Sequence, residues 1–420
     1  MNDTSNIKLR LIIMNFLQFF VWGSWLTSLG VYLGATLKFD GLQIGSIFAT
    51  MGIAALIMPA LLGIIADRWV NAERVYALCH IIGAGLLFYL PNVTEYGQVY
   101  AIILLVAMMY MPTLGLANTL AYNAMGQYNL DVVKDYPPIR VWGTVGFIFA
   151  MWFVDLMKWT ADANQLYLGS IAALVLGLYA FTLPKRPPTR EIKNKSVVST
   201  LGLDAFVLFK EKKMAVFFIF SMLLGAALQI TNLFGQPFLS DFALSPEYAE
   251  SFAVQHPGIL TSLSQISESL FILAIPFFMK RYGIKNVMLI SMIAWVLRFG
   301  LFGIGNPGSG FVFLVLSMIV YGMAFDFFNV SGSLFVETET SPNIRASAQG
   351  LFVLMTNGIG TIVGTLGSGM VVQYFTDADN VKDWQNIWFS FATYALVLAI
   401  IFFFIFNHKK SEEAHRKTIS

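Results

Sequence analysis

The residue of this sequence with the most evident chemistry is a carboxylate in the middle of an apolar run. Asp326 lies in Tyr321-Gly-Met-Ala-Phe-Asp-Phe-Phe-Asn329, within a stretch from Phe311 to about Val336 that is long enough to cross a bilayer. An ionised side chain at that depth costs about 2.5–3.5 kcal/mol on insertion scales. Such a group finds a partner, lines a wet cavity, or carries a proton, because burial disfavours the charged form. Glu268 occupies a similar place in Ser264-Gln-Ile-Ser-Glu-Ser269, and Gln265, three residues earlier, shares its helix face. Gln229 and Asn232 repeat that spacing in Leu228-Gln-Ile-Thr-Asn232. Arg140, Thr144 and Phe147 stand at i, i+4 and i+7, a single stripe of a helix that opens with Pro137-Pro138. Tyr321 and Phe325 form an i, i+4 aromatic pair beside Asp326, and Gln18, Trp22 and Trp25 share another face.

Plainer accounts exist for each of these taken singly. Asp326 can be held in a static helix–helix contact, and amides in membrane helices often join neighbouring helices. Arg140 can snorkel or form a loop salt bridge, and Arg298 is read as reaching the outer interface. Trp22 and Trp25 are read as packing residues, as is His80. Together, however, three amides, two carboxylates, an arginine and several aromatics at membrane depth describe a wet polar cavity with π-faced walls. Amides both donate and accept hydrogen bonds, so Gln229, Asn232 and Gln265 suit a neutral ligand rich in hydroxyls and carbonyl or imino edges. Aromatic faces suit a flat ring or the apolar side of a sugar. Two acids against one deep arginine argue against a polyanion. A neutral solute with sugar and ring, or sugar alone, fits this set.

The elements that must position these groups are membrane helices. The chain has 420 residues, of which 57% are hydrophobic and 12% charged. A soluble domain carries about 25% charged residues, so most of this chain faces lipid or other apolar helices. Apolar segments recur near 10–34, 42–66, 73–91, 98–122, 138–157 and 165–183, and again near 214–239, 256–279, 285–304, 311–336, 345–374 and 383–407. Their length and lack of alternation exclude the strands of a membrane barrel. The expected fold is all-α, with twelve transmembrane helices in two six-helix bundles. The bundles occupy 1–183 and 214–407, joined by a cytoplasmic linker at 184–213 and followed by a cytoplasmic tail at 408–420. Lys38, Lys158 and Lys382 fall on one side and Arg298 inside a span, while the rest of the 26 Lys and Arg lie on the side of the amino terminus. That bias places both termini in the cytoplasm. The first apolar run continues to about Leu37 with no cleavage site after a short core, and is read as the first membrane helix.

Several function classes are excluded at this stage. A net charge of +2 does not suggest a nucleic-acid partner. Cys79 is the single cysteine, which leaves no internal disulfide and no cysteine-based metal cluster, and the four histidines lack ligand spacing. There is no P-loop and no nucleophile with a histidine partner in the spans, so neither an enzyme nor an ATP-driven pump is expected. No cofactor or metal is expected beyond a co-transported proton.

Gly63-Ile-Ile-Ala-Asp-Arg68 after span two and Phe278-Met-Lys-Arg-Tyr-Gly283 after span eight resemble the loop signature of the major facilitator superfamily. The residues after the first motif, Trp69-Val-Asn-Ala-Glu-Arg74, depart from its full form. Within that superfamily the chain resembles the nucleoside/proton symporters along its whole length. The resemblance is carried by Phe19-Phe-Val-Trp-Gly-Ser-Trp25, Met111-Pro-Thr-Leu114, Pro137-Pro-Ile-Arg140, Leu201-Gly-Leu-Asp-Ala205, Gln229-Ile-Thr-Asn232, Ser264-Gln-Ile-Ser-Glu268, Tyr321 to Asn329, and Arg345-Ala-Ser-Ala-Gln349. It implies that Arg140, Thr144, Phe147, Gln229, Asn232, Gln265, Glu268, Tyr321 and Phe325 hold a nucleoside. It further implies that Asp326, with Glu268 as the alternative, couples transport to protons. The implied partners are nucleoside, protons and membrane lipid. The implied setting is the bacterial inner membrane, with a monomer as the working unit. A xanthosine preference, a sugar or glycoside/proton symporter, and a membrane sensor that binds nucleoside without moving it remain the alternatives.

Overall fold

The computed structural model describes residues 3–188 and 203–406, and it is helical wherever the apolar runs predicted it. The tail at 408–420, the linker residues 189–202 and the first two residues of the Leu201–Ala205 motif lie outside the described residues. In the first half the long helices are α1 (Asp3–Gly23), α2 (Gly41–Arg68), α3 (Ala72–Tyr89), α4 (Tyr96–Gln127), α5 (Val132–Leu156) and α6 (Asn164–Ala180). In the second they are α7 (Lys212–Asp241), α8 (Pro257–Ile304), α9 (Phe311–Glu339), α10 (Pro342–Tyr374) and α11 (Trp384–Ile405). Nine of the described helices are long and apolar enough to cross a membrane. The 48-residue α8 supplies two crossings, because Gly283 at φ 76° breaks it into two limbs. That backbone conformation costs glycine nothing and strains other residues. With α1 and the 17-residue α6, the chain makes twelve crossings in two bundles, as the apolar segments predict. Only helices can cross in this way, since lipid offers no partner to a free N–H or C=O.

Side chains cap helix starts at Asp40 and Asp383. Asp40 caps α2 by accepting from Gln43 N at 2.8 Å, while Gln43 Oε1 accepts from Asp40 N at 3.1 Å, a reciprocal capping box. Two boundaries differ from the expectation: α1 ends at Gly23, with turns over 24–28 where the first apolar run suggested one helix to about Leu37, and α5 begins earlier than expected. Helix α5 starts at Val132 and carries Pro137 and Pro138 inside it, where the sequence suggested an opening on the prolines. Arg140 therefore sits two turns within the helix, and its guanidinium lies 4.0 Å over the ring of Phe19 on α1. That contact takes the place of snorkelling, the plainer alternative for this residue. The flanks of the linker are tied to the first bundle by Arg186, which meets Asp67 at 3.4 Å, and to the second by Lys213, which meets Glu339 at 2.7 Å.

Small residues set how closely the helices approach. A Cβ on Gly225 of α7 would run into the Thr356 carbonyl of α10, and one on Gly364 into Ala226. Between the bundles, Gly41, Gly45 and Gly52 of α2 lie against Gly369, Thr365 and Gly358 of α10. Close small-residue crossings of this kind supply the packing that hydrophobic burial cannot supply within lipid. Replacing Gly225 by Val is expected to lower the melting temperature of the detergent-purified protein, at a cost of about 1–3 kcal/mol for overpacking. Gly63→Ala, where a Cβ meets nothing within 4 Å, should leave it unchanged. Equal melting temperatures for Gly225→Val and the parent would contradict the crossing.

Candidate functional site

The site residues expected from the sequence divide between the bundles. On α7, Gln229 and Asn232 are half-buried, and neither side chain hydrogen-bonds to another described group. On the first limb of α8, Gln265 and Glu268 are half-buried, and no partner meets Gln265 Oε1. On α9, Tyr321 is 5% exposed and stacks on Phe325 with centroids 6.2 Å apart and planes 17° apart. Asp326 is 3% exposed, its Oδ2 has no partner among the described residues, and it lies within Coulombic reach of Glu268. Three helices of one bundle thus bring uncommitted amides, two carboxylates and an aromatic pair to one region.

On α5 of the other bundle, Arg140 is within Coulombic reach of Glu268 across the gap. Thr144 is half-buried, and Phe147 is buried with its backbone carbonyl pressed on Gly23 of α1. Asn232, Gln265 and Tyr321 line one small cavity together with Met151 of α5, whereas Phe325 lines a neighbouring one with Leu228, Trp295 and Asn329. Gln229, Thr144 and Phe147 are not among the residues lining either cavity. Gln18 and Trp22 of α1, with Trp25 in the turn that follows, form a backing. Gln18 Oε1 accepts from Tyr76 Oη at 2.5 Å and meets His80 Nε2 at 3.0 Å, while its Nε2 donates to Thr113 Oγ1 at 2.9 Å. Trp22 stacks on Tyr110 at 4.4 Å. His80 is buried, with its ring edge-on to Tyr76.

Arg298 requires a correction. It does not reach the outer interface; it is 4% exposed, on the second limb of α8 and beside the site. Its Nη1 donates to Ser317 O at 2.7 Å and to Ser264 Oγ at 3.3 Å, and its guanidinium lies 4.6 Å over Tyr321 and 5.0 Å over Phe302. A buried charge is expensive without compensation, and here two aromatic faces, the Ser317 carbonyl and the Ser264 hydroxyl supply it. Hydropathy alone could not place it, because snorkelling and burial leave the same local sequence. Gln236 was also missed. It lies four residues after Asn232, so the rule that paired Gln229 with Asn232 extends to it.

The bundles close at one end of the site. His256 Nδ1 lies 2.8 Å from Asp155 Oδ2, and Gly258 N donates to Asp155 Oδ1 at 2.8 Å, joining α5 to α8. Trp152 Nε1 donates to Ser262 Oγ at 2.8 Å, and Lys158 Nζ donates to Gln255 O at 2.7 Å. Gln236 Nε2 crosses to Thr27 Oγ1 at 3.0 Å. No metal-ligand cluster is found among the described residues.

Two six-helix bundles around polar groups buried at their interface define a membrane transporter of the major facilitator fold. The pattern of the nucleoside H+ symporters matches residues 5–411, and the chain belongs to that family. It is 56% identical to the xanthosine permease of Escherichia coli over 98% of this chain and 99% of that one. It is likewise 56% identical to the nucleoside permease NupG of E. coli, over 96% and 97%. The crystal structure of nucleoside transporter NupG superposes with a TM-score of 0.91 at 56% identity, covering 97% of this chain and 100% of that one.

The closed end is open to test. Asp155→Ala leaves the His256 ring and the Gly258 N–H without their acceptor, so the seam should loosen. In a Cys79→Ala background, a cysteine replacing the buried Thr231 is expected to react several-fold faster with an impermeant maleimide applied from the Asp155 side. Unchanged labelling would mean that the glycine crossings alone hold the end shut.

Proposed function

We propose that this chain imports nucleosides with protons across the inner membrane of a bacterium, both termini in the cytoplasm, by alternating exposure of the site between the bundles. The observation that carries the reading is the cluster of uncommitted amides beside a buried carboxylate whose Oδ2 has no partner among the described residues. Gln229, Asn232 and Gln265 hydrogen-bond the nucleoside, Tyr321 with Phe325 and Phe147 supply aromatic faces, and Arg140 and Thr144 complete the wall from the first bundle. Asp326 takes the proton, with Glu268 in reach as a second carboxylate. Proton and nucleoside load together, and the neutralised carrier reorients because moving an unpaired carboxylate between differently solvated states is costly. The units are 1–183 and 214–407, with 184–213 as a linker and 408–420 as a tail. The monomer, surrounded by lipid, is the working unit.

Uptake of labelled uridine into bacteria lacking their own nucleoside carriers tests this reading. Saturable uptake that collapses with a protonophore is expected; no uptake of uridine or xanthosine would overturn it. Identity is equal to the two named relatives, so competition of xanthosine against uridine is the measurement that ranks the bases.

Asp326→Ala should reduce accumulation to the external concentration while binding of uridine persists. Accumulation against the gradient by this variant would exclude Asp326 from coupling. Gln229→Ala and Asn232→Ala should each weaken uridine affinity by about tenfold, the scale of one lost buried hydrogen bond. Unchanged affinity in both would make them helix-joining residues only.

A further inference from the structure

Beside the transport site, towards the closed end, lies a cavity of about 20 Å3 bounded by Thr27, Gln236, Thr261, Gln265, Arg298 and Tyr321. That is room for one oxygen atom with its hydrogens. Three polar atoms of its wall residues have no hydrogen-bond partner among the described residues: Arg298 Nε, Gln236 Oε1 and Gln265 Oε1. Arg298 and Gln236 are 4% and 3% exposed, so bulk water does not serve them. The orientation of Gln236 is set by its neighbours. Its Nε2 donates to Thr27 Oγ1 at 3.0 Å and to Thr261 Oγ1 at 3.2 Å, and Thr261 spends its own proton on Pro257 O at 2.8 Å. The Thr261 hydroxyl can therefore only accept from Gln236, which leaves Oε1 as the free acceptor.

The unmet set is one donor and two acceptors. A carbonyl oxygen or ring nitrogen would accept from Arg298 but has no proton for either amide. An apolar group would leave all three unpaired, which a buried site disfavours. A hydroxyl accepts from the guanidinium and donates to one amide oxygen, leaving the other to the rest of the ligand, whereas a water molecule can donate to both. A nucleoside carries its hydroxyls on the sugar, and the cavity shares Asn232, Gln265 and Tyr321 with the site to which the nucleoside is assigned.

We propose that this cavity is a hydroxyl subsite that takes one ribose hydroxyl of the bound nucleoside, with Arg298 as donor and Gln236 as acceptor. Both are specificity-determining residues for the sugar. The inference rests on the nucleoside reading above. Because Gln236 is held by Thr27 of the opposite bundle, the subsite is complete only while the bundles are closed at this end. Arg298 acts here as a directed N–H, and its aromatic contacts with Tyr321 and Phe302 keep that N–H in place.

The test is equilibrium binding of uridine and of its 2′-, 3′- and 5′-deoxy analogues to the purified full-length transporter, the parent against Arg298→Met and Gln236→Leu. In the parent, one analogue is expected to bind about tenfold or more weakly than uridine, the scale for leaving buried partners unpaired. In each variant that one penalty should shrink to about twofold or less, while the ratios for the other two analogues stay as they were. A variant that weakens all four ligands equally would show a structural role only, and would overturn the proposal. So would a parent that binds all four alike, which marks the cavity as a resident water site and leaves the nucleoside reading standing. A parent that binds no uridine removes both. Should Arg298→Met fail to fold, Gln236→Leu decides the outcome by the same ratios.

Discussion

Charge inside a helical membrane protein is tolerated only where other groups compensate it, and in this chain Arg298, Glu268 and Asp326 share one region of the second bundle. Tyr321 is the common element: the guanidinium lies over its ring, and both acids are within Coulombic reach of its phenol. Arg140 of the first bundle, within Coulombic reach of Glu268, adds a second cation to the two carboxylates. A carrier that must move its site between two aqueous faces is easiest to reorient when that region is neutral.

The two bundles contribute unequally. The second supplies the amides, acids and aromatic pair on α7, α8 and α9, while the first offers Arg140 over Phe19 and a wall stiffened by the Gln18, Tyr76, His80 and Thr113 network. Buried hydrogen bonds that satisfy every member make such a wall rigid. Rigidity on one side and unmet polar groups on the other is an arrangement in which the ligand completes the hydrogen bonding. The closing contacts are of two kinds. The glycine crossings of α2 on α10 fit by shape, whereas the contacts of Asp155 with His256 and Gly258 are directional and polar. Polar contacts can be exchanged for water when the bundles part, and shape-fitted ones can slide.

What the amino-acid sequence by itself determined was the set of spans and the polar stripes upon them. Hydropathy and helical spacing are local properties, so Gln229 with Asn232, Gln265 with Glu268, and Tyr321 with Phe325 were legible without knowing their neighbours. The family was legible as well, because its motifs run in order along the chain. Tertiary structure alone decided the rest. A kink at Gly283 joins two spans with no intervening loop, and a helix running through Pro137 and Pro138 carries Arg140 inward to Phe19. Arg298 is the clearest case. Its sequence surroundings are those of any snorkelling arginine, and only the packing of α8 against α9 shows that Ser317 and Tyr321, distant along the chain, enclose it. Which helix faces meet is set by non-local packing of small residues, and a one-dimensional pattern of apolar and polar residues does not contain it.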